Sequence, residues 1–378
     1  MHIFIAALHR PVKPTGVCRH AANLARCLVE QPEVTRITLV IGSWQQYYFE
    51  TAFDLKSEKI KLLPVNIKNS SLVRNFWFLR GLPEMANELN PDVVHLSFPI
   101  PFFRAKFNAP VVTTVHDLYP YECPENFGFP QVWFNQLFLR QSIKNSDGLP
   151  CVSQVTADKL KLYFPRLKSH QRVEVVYNYV DFSELEINPP EGFTADSQFL
   201  LCVAQHRQNK NLDLLIEAYA KLLLTEASHH HYDQLNLIIV GATGPETDKI
   251  KSLIAEHNLE TKVNLLSAID DQELGWLYQN CQTFVIPSST EGFCLPLAEA
   301  LHFQSSVVCS DIPIFREIGD AQCQYFSLQG DTVDNLTEAL TKVLTNKDPK
   351  EINQAGMSRF DKYHIAHQYL NLYLQLKY

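Results

Sequence analysis

The chain has 378 residues, enough for about two or three domains at roughly 100–200 residues each. Charged residues make up 20% and hydrophobic ones 46%, an ordinary globular composition, and 33 basic against 41 acidic side chains leave a formal charge of −8. With a pI near 6.0 and no basic run, the chain lacks the dense basic face of nucleic-acid binders, so no nucleic acid is expected as a partner. No apolar stretch reaches the ~18 residues of a membrane span. The start, MHIFIAALHR, has no basic leader and does not read as a secretory signal. The nine cysteines are scattered, odd in number and without Cys-x-x-Cys. That argues against zinc or a disulfide framework and for small buried thiols in a reducing cytoplasm. Glycine is scarce at 13 residues, about half the usual share of roughly 7%, so any loop that cradles a phosphate is built from few glycines.

The predicted elements alternate. The run His2–Leu8 reads as a buried strand, Pro11–Gly16 as a loop, Ala21–Val29 as a helix and Ile37–Ile41 as a strand. Strands follow at Val93–Leu96 and Val111–Val115, a helix at Phe134–Ile143, a strand at Gly148–Val152, a helix at Thr156–Tyr163 and a strand at Val173–Val176. The polar stretch 183–198, with Pro189 and Pro190, is the expected linker. Beyond it the pattern restarts with strands Phe199–Val203, Leu235–Val240, Val263–Leu266, Thr283–Ile286 and Ser306–Cys309, separated by helices at Leu212–Leu224, Lys249–His257, Asp271–Gln279 and Leu297–Leu301. Alternation of this kind predicts an α/β chain: two doubly wound, Rossmann-like parallel-sheet domains, residues 1–182 and 183–359, facing across a cleft at the carboxyl ends of their strands. Met357–Leu376 reads as a closing helix. The run His229–His231 is either a solvated connection or a metal-binding, tag-like sequence.

The chemistry concentrates in Pro287-Ser-Ser-Thr-Glu-Gly-Phe-Cys-Leu-Pro-Leu-Ala-Glu-Ala300. A strand ends near Ile286, a short loop carries Glu291, and a helix is expected from about Pro296, with Glu299 in its first turn. The amides of Phe293, Cys294 and Leu295 then stand at a helix N-terminus, a ready anion site. Two readings remain for Glu291 and Glu299. They are helix-start acids that complement the macrodipole, or acceptors for sugar hydroxyls, since an ionised carboxylate only accepts.

Glu291-x7-Glu299 in this setting resembles the signature of retaining glycosyltransferases of family 4, glycosyl transferases group 1, which have the GT-B fold. The likeness continues in Thr15-Gly16-Val17-Cys18-Arg19, Thr113-Thr-Val-His116-Asp117-Leu118, Cys151-Val-Ser153, Val176-Tyr-Asn-Tyr-Val-Asp181 and Leu201-Cys-Val-Ala-Gln-His-Arg207-Gln-Asn209-Lys210-Asn211. It covers nearly the whole chain, most specifically residues 199–326.

The resemblance implies that Glu299 holds the ribose hydroxyls of a nucleotide-diphosphate sugar. Glu291, with the amides of Phe293 to Leu295, meets the sugar and the diphosphate, and Lys210 neutralises the diphosphate. Gly16 lets an N-terminal loop approach it, His116 contacts the transferred sugar near the reacting carbon, and Ser267-Ala268-Ile269 lies against the base. Fixed cations and helix amides can stabilise the leaving group, and the chain has no Asp-x-Asp. The expectation is therefore no metal and no cofactor beyond the donor, whose base (UDP, GDP, ADP or dTDP) and sugar stay open. Retention is read as front-face attack, with the leaving phosphate taking the acceptor's proton.

The chain departs from the pattern in places. Asn209 stands where a basic residue is usual, and Arg207 either replaces that charge or is a surface group. Ala204, Tyr179, Cys294 and Gln304 stand where glycine is common. Ala204 and Cys294 are tolerable if their φ is negative. His116 can also be read as a hydrogen-bonded core ring, and Asp117 as a turn or cap residue. Two aromatic-basic stretches, Leu72–Arg80 and Phe98–Phe107, are candidates for acceptor contact, and the first is read as an interfacial helix in peripheral membrane contact or as a core helix with two snorkelling arginines. The last helix of the resembled family packs back on the N-terminal domain, so residues 360–378 are assigned there; their apolar positions recur at helical spacing.

The expected function is metal-independent, retaining transfer of a hexosyl group to a hydroxyl of a glycan or lipid-linked glycan, in polysaccharide biosynthesis. The expected location is the cytoplasm, or the inner face of the membrane. The alternatives are a sugar-nucleotide epimerase or hydrolase on the same fold, and a catalytically weak, nucleotide-sugar-binding subunit that supports a partner transferase.

Overall fold

The computed structural model describes residues 1–124, 127–180, 182, 185–224, 232, 234–267, 269–346 and 358–376. The run His229–His231, Ala268 of the base-contacting segment, and the last two residues of 360–378 lie outside the described residues. The chain forms two compact units, Met1–Tyr179 with Ser358–Tyr378, and Val180–Met357.

The first unit holds a seven-stranded parallel sheet in the order β3-β2-β1-β4-β5-β6-β7. Its strands are β1 (His2–Ala6), β2 (Arg36–Gly42), β3 (Ile60–Val65), β4 (Val93–Leu96), β5 (Val111–Thr113), β6 (Gly148–Cys151) and β7 (Arg172–Val175). Helices α1 (Gly16–Val29), α2 (Gln46–Thr51), α3 (Ser71–Leu79), α4 (Gly81–Leu89), α5 (Tyr119–Glu122), α6 (Gln131–Asn145) and α7 (Gln154–Tyr163) connect them. β1 is apolar from Ile3 to Ala6 because both its faces are covered there, as a central parallel strand requires. Ile3 and Ile5 pack with α1, while Phe4 and Ala6 pack on the other face with Trp77, Phe78, Leu82 and Ala86. The strand's period of two therefore splits one apolar run between two cores.

The second unit holds a six-stranded parallel sheet in the order β10-β9-β8-β11-β12-β13. Its strands are β8 (Phe199–Val203), β9 (Asn236–Val240), β10 (Val263–Leu266), β11 (Thr283–Ile286), β12 (Val307–Ser310) and β13 (Gln324–Phe326). Its helices are α8 (Leu212–Leu223), α9 (Thr247–Glu256), α10 (Asp271–Asn280), α11 (Leu295–His302), α12 (Pro313–Gly319) and α13 (Thr332–Thr345). The final helix, α14 (Lys362–Gln375), belongs to the first unit. Ile365, Ala366, Tyr369, Leu370, Leu372 and Tyr373 share one core with Ile3, Ile5 and the inner face of α1.

Three expectations are corrected. The described part of the expected linker, residues 185–198, is not a bare connection. Phe193 packs edge-on against Phe199 and Trp276 at 5.7 and 6.1 Å, Pro190 is buried, and Asn188 donates to Gln272. One aromatic anchor fixes an otherwise polar segment to α10, and the second unit begins at Val180. Helix α1 starts at Gly16, five residues before the expected Ala21. In Leu72–Arg80, neither reading fits whole: Trp77 and Phe78 are core and Leu72 and Phe76 are exposed. Arg74 does not snorkel but is buried. In Phe98–Phe107, Ile100, Phe102 and Phe107 are core, while Phe103 is exposed.

Candidate active site

In doubly wound sheets, ligands bind beyond the carboxyl ends of the strands where the strand order reverses. In the second unit that point lies between β8 and β11. The loop after β8 carries Arg207, Asn209 and Lys210; the loop after β11 carries Glu291 and leads into α11. The two loops are tied together. Ser289 N–H donates to the Asn209 carbonyl at 2.9 Å. Asn209 Nδ2 donates to the Thr290 carbonyl at 3.2 Å, and Asn211 Nδ2 to the Pro287 carbonyl at 2.8 Å. Asn209 thus spends its amide group on joining two loops, a job its usual basic counterpart could not do in the same way.

This clamp brings Lys210 Nζ into an ion pair with Glu291 Oε1. Both are withdrawn from solvent, with side chains 18% and 6% exposed. Burial pulls the Lys210 pKa down, but the Glu291 carboxylate outweighs it and the ammonium ends above the ordinary lysine value. Arg207 is half-buried and close enough for its charge to oppose that of Lys210. Among the described residues it has no carboxylate partner.

Helix α11 begins at Leu295, so Glu299 falls in its second turn and the first turn carries no acid. Neither Glu291, in the loop, nor Glu299 is a helix-start acid, and the macrodipole reading of both fails. Glu299 is buried, and its Oε2 accepts from Tyr278 Oη at 2.9 Å. Tyr278, from α10, is stacked on Phe303. Nothing in the sequence marks Tyr278, which lies 21 positions upstream. Phe293 and Cys294 are buried at the N-terminus of α11. Cys294 has φ +71°, so the tolerance expected from a negative φ does not apply. The backbone holds the left-handed conformation that glycine adopts freely, and Gln304 does the same with φ +59°. Burial, with Glu291 beside it, pushes the Cys294 thiol well above the ordinary range, so it is no nucleophile. Ile269, half-buried beyond β10, directly precedes the α10 cap Asp270.

In the first unit the strand order reverses between β1 and β4. A cavity of about 340 Å³ opens there, lined by the loops after β1, β4 and β5, including His116. Gly16 is the first residue of α1, with open space where a Cβ would stand. His116 Nε2 lies 2.7 Å from the Ser97 carbonyl. A carbonyl only accepts, so Nε2 carries the proton and Nδ1 is the ring's acceptor. Burial drives its pKa down to about 4. The ring is thus neutral near pH 7, and it packs edge-on at 4.7 Å against His20. His20 Nε2 meets Tyr369 Oη at 3.2 Å. His95 lies between Tyr373 Oη at 2.6 Å and Thr114 Oγ1 at 2.7 Å, and burial lowers its pKa to about 3. Asp117 accepts from the Tyr119 amide at 3.1 Å, as a turn residue does. Among the described residues no group of three or more His, Cys, Asp or Glu is placed to hold a metal ion.

These rings predict acid sensitivity. A histidine whose folded pKa is depressed binds its proton more readily when unfolded, so its stabilisation is present above about pH 6.5 and is lost as pH falls through the folded value. Lowering the pH from 7 to 4.5 is expected to cost the first unit a few kcal/mol, read as a falling thermal midpoint. A midpoint flat over that range would show that these rings titrate normally.

The sequence model described as Glycosyl transferases group 1 matches residues 183–359, and that described as Glycosyltransferase Family 4 matches residues 14–184. The chain belongs to the group 1 glycosyltransferases of the family 4 type. Similar to this glycosyltransferase are the O-antigen chain mannosyltransferase B of Escherichia coli, 29% identical over 81% of this chain and 82% of the relative, and the O-antigen chain mannosyltransferase RfbU of Salmonella typhimurium, 28% identical over 65% of this chain. The match spans 63% of the Salmonella relative's length. Among solved structures, the sucrose-phosphate synthase from Thermosynechococcus elongatus is 17% identical with a TM-score of 0.72, covering 99% of this chain and 98% of that one. HepE of Anabaena, solved with UDP and glucose, is 17% identical with a TM-score of 0.70, covering 98% of each. The shared fold is GT-B, with two Rossmann-like parallel-sheet domains. No helix among the described residues is long and apolar enough to cross a membrane.

Proposed function

We propose that this glycosyltransferase moves a hexosyl group, a mannosyl group by analogy with its O-antigen relatives, from a nucleotide-diphosphate sugar to a hydroxyl of a surface-glycan intermediate, with retention of configuration. The observation that carries the donor side is the buried Lys210–Glu291 pair at the strand-order reversal of the second unit, beside Arg207 and the start of α11. Two cations and a helix N-terminus supply positive potential where the leaving diphosphate gains charge, and this needs no metal ion. Glu299, held by Tyr278, accepts from the ribose hydroxyls. Ile269 lies against the base, and Gly16 leaves room for a phosphate at the start of α1.

In the reaction, the bond from the anomeric carbon to the phosphate oxygen breaks and the acceptor oxygen attacks from the same face. Its proton passes to the departing phosphate oxygen. His116, fixed as a neutral ring with Nδ1 as acceptor, receives a sugar hydroxyl; with a pKa near 4 it orients rather than removes a proton. The exposed apolar side chains Leu72, Phe76, Phe129 and Trp133 support work at the inner face of a membrane, where a lipid-linked acceptor is presented.

A panel of UDP-, GDP-, ADP- and dTDP-sugars tests this reading by thermal shift and slow donor hydrolysis in EDTA. One donor is expected to bind and hydrolyse with the chelator present. Binding without turnover on any donor or acceptor would favour a supporting subunit. Loss restored only by a divalent ion would refute metal independence.

A further inference from the structure

Arg74 is a buried cation that the fold does not neutralise. It is 8% exposed and stands four residues beyond the cap Ser70 of α3, near the helix end whose dipole favours anions. Its guanidinium donates to the side-chain oxygens of Asn69 and Ser71, both neutral. Among the described residues no carboxylate pairs with it. The charged neighbour it does have is a second cation: burial first, then Arg10, lowers its pKa. Withdrawing a guanidinium from water without a counter-charge is destabilising. The packing of α3 does not call for it, since Trp77 and Phe78 seat the helix.

Arg74 and Arg10 line one cavity, the 340 Å³ space at the strand-order reversal of the first unit. His9 lines it too, with its Nδ1 buried and unpartnered. The one carboxylate in the lining, Asp117, is engaged with the Tyr119 amide. Two guanidiniums over neutral imidazoles form a pocket with net positive charge, and the guanidinium fork matches phosphate oxygens in pairs.

We propose that this cavity is an oxyanion subsite for a phosphoryl group carried by the acceptor, with Arg74 as its fixed cation and the exposed Arg10 as the second. The proposal rests on the transferase reading above and adds to it that the acceptor's phosphoryl group lies against the first unit, in the cavity that His116 also lines. The donor's own diphosphate is the other source of the same chemistry, so the test separates the two.

Inorganic pyrophosphate, titrated calorimetrically into the full chain, is expected to fill a site that survives both saturation with the preferred nucleoside diphosphate and the substitution Lys210→Ala. Arg74→Gln and Arg10→Gln should each weaken that site about tenfold or more, the scale of a lost charge-assisted contact, without changing nucleoside diphosphate binding. Arg10 is exposed in a loop, so its variant decides the matter even if Arg74→Gln fails to fold. Displacement of pyrophosphate by the nucleoside diphosphate would assign the anion to the donor and overturn the proposal. Unchanged pyrophosphate affinity in Arg10→Gln would overturn it as well. Failure of the transferase reading would show separately, as no nucleoside diphosphate binding to the wild type while the pyrophosphate site still responds to Arg10→Gln.

Discussion

A chain ending at Met357 is expected to lose the folded first unit altogether. The deletion removes α14, whose Ile365, Ala366, Tyr369, Leu370, Leu372 and Tyr373 are each at most 4% exposed and share a core with β1 and α1. At ~1.5–3 kcal/mol for each large buried side chain, the loss rivals the ~5–15 kcal/mol by which a whole domain is stable. It also takes the hydroxyl partners from His95 and His20, leaving buried ring nitrogens unsatisfied. The truncated protein should be insoluble, or bind ANS and melt without cooperativity, although every proposed donor ligand of the second unit remains. A soluble truncation with the wild-type thermal midpoint would show that α14 is dispensable. Tyr373→Phe is the gentler variant: it removes one hydroxyl and should cost about 1–3 kcal/mol with the fold retained.

Lys210→Ala and Glu291→Gln are expected to separate binding from transfer. Removing Lys210 deletes a charge-assisted contact to the donor diphosphate and leaves Glu291 buried beside it without its counter-ion. Nucleoside diphosphate affinity should drop about 10-fold or more. Glu291→Gln does the reverse, freeing the Lys210 charge from its competitor. Nucleoside diphosphate binding should hold or tighten while transfer falls roughly 100- to 1,000-fold, the scale of one lost transition-state contact. Calorimetry on both variants and transfer assays on Glu291→Gln check the pair. Equal losses of binding in both would mean that the ion pair only holds the two loops together.

The fold was legible wherever strands are covered on both faces. The runs HIFIA and FLLCV are apolar without alternation because a central parallel strand has no wet side. Of the four edge strands, β7 and β10 were legible as well, and β3 and β13 were not. β3 carries Lys61 and Pro64 and stays partly exposed, and β13 has three residues with only Phe326 buried. Helix α13 went unread in spite of a strongly amphipathic sequence.

In the site, the sequence nominated Lys210 and Glu291 but not that they pair, because 81 positions separate them and only the reversal of strand order brings their loops together. Tyr278 carries no local mark at all. Cys294 misled in a different way. A cysteine in place of the usual glycine is tolerable where φ is negative, whereas the loop keeps the left-handed turn and lets a cysteine bear its strain. The polar composition of 183–198 concealed the packing of Phe193 against Phe199 and Trp276.

The discontinuity of the first unit bears on how the protein is made. The strands of its sheet emerge from the ribosome first, yet the helix that covers one face of β1 follows only after the roughly 200 residues that separate Tyr179 from α14. At ~5–20 residues per second, the nascent first unit waits some 10–40 s with that apolar face covered by α1 alone, while the second unit is free to fold during the interval. The unit begun first is therefore completed last, and chaperone demand during synthesis should fall on the inner face of α1 and on Ile3 and Ile5, and end when α14 docks.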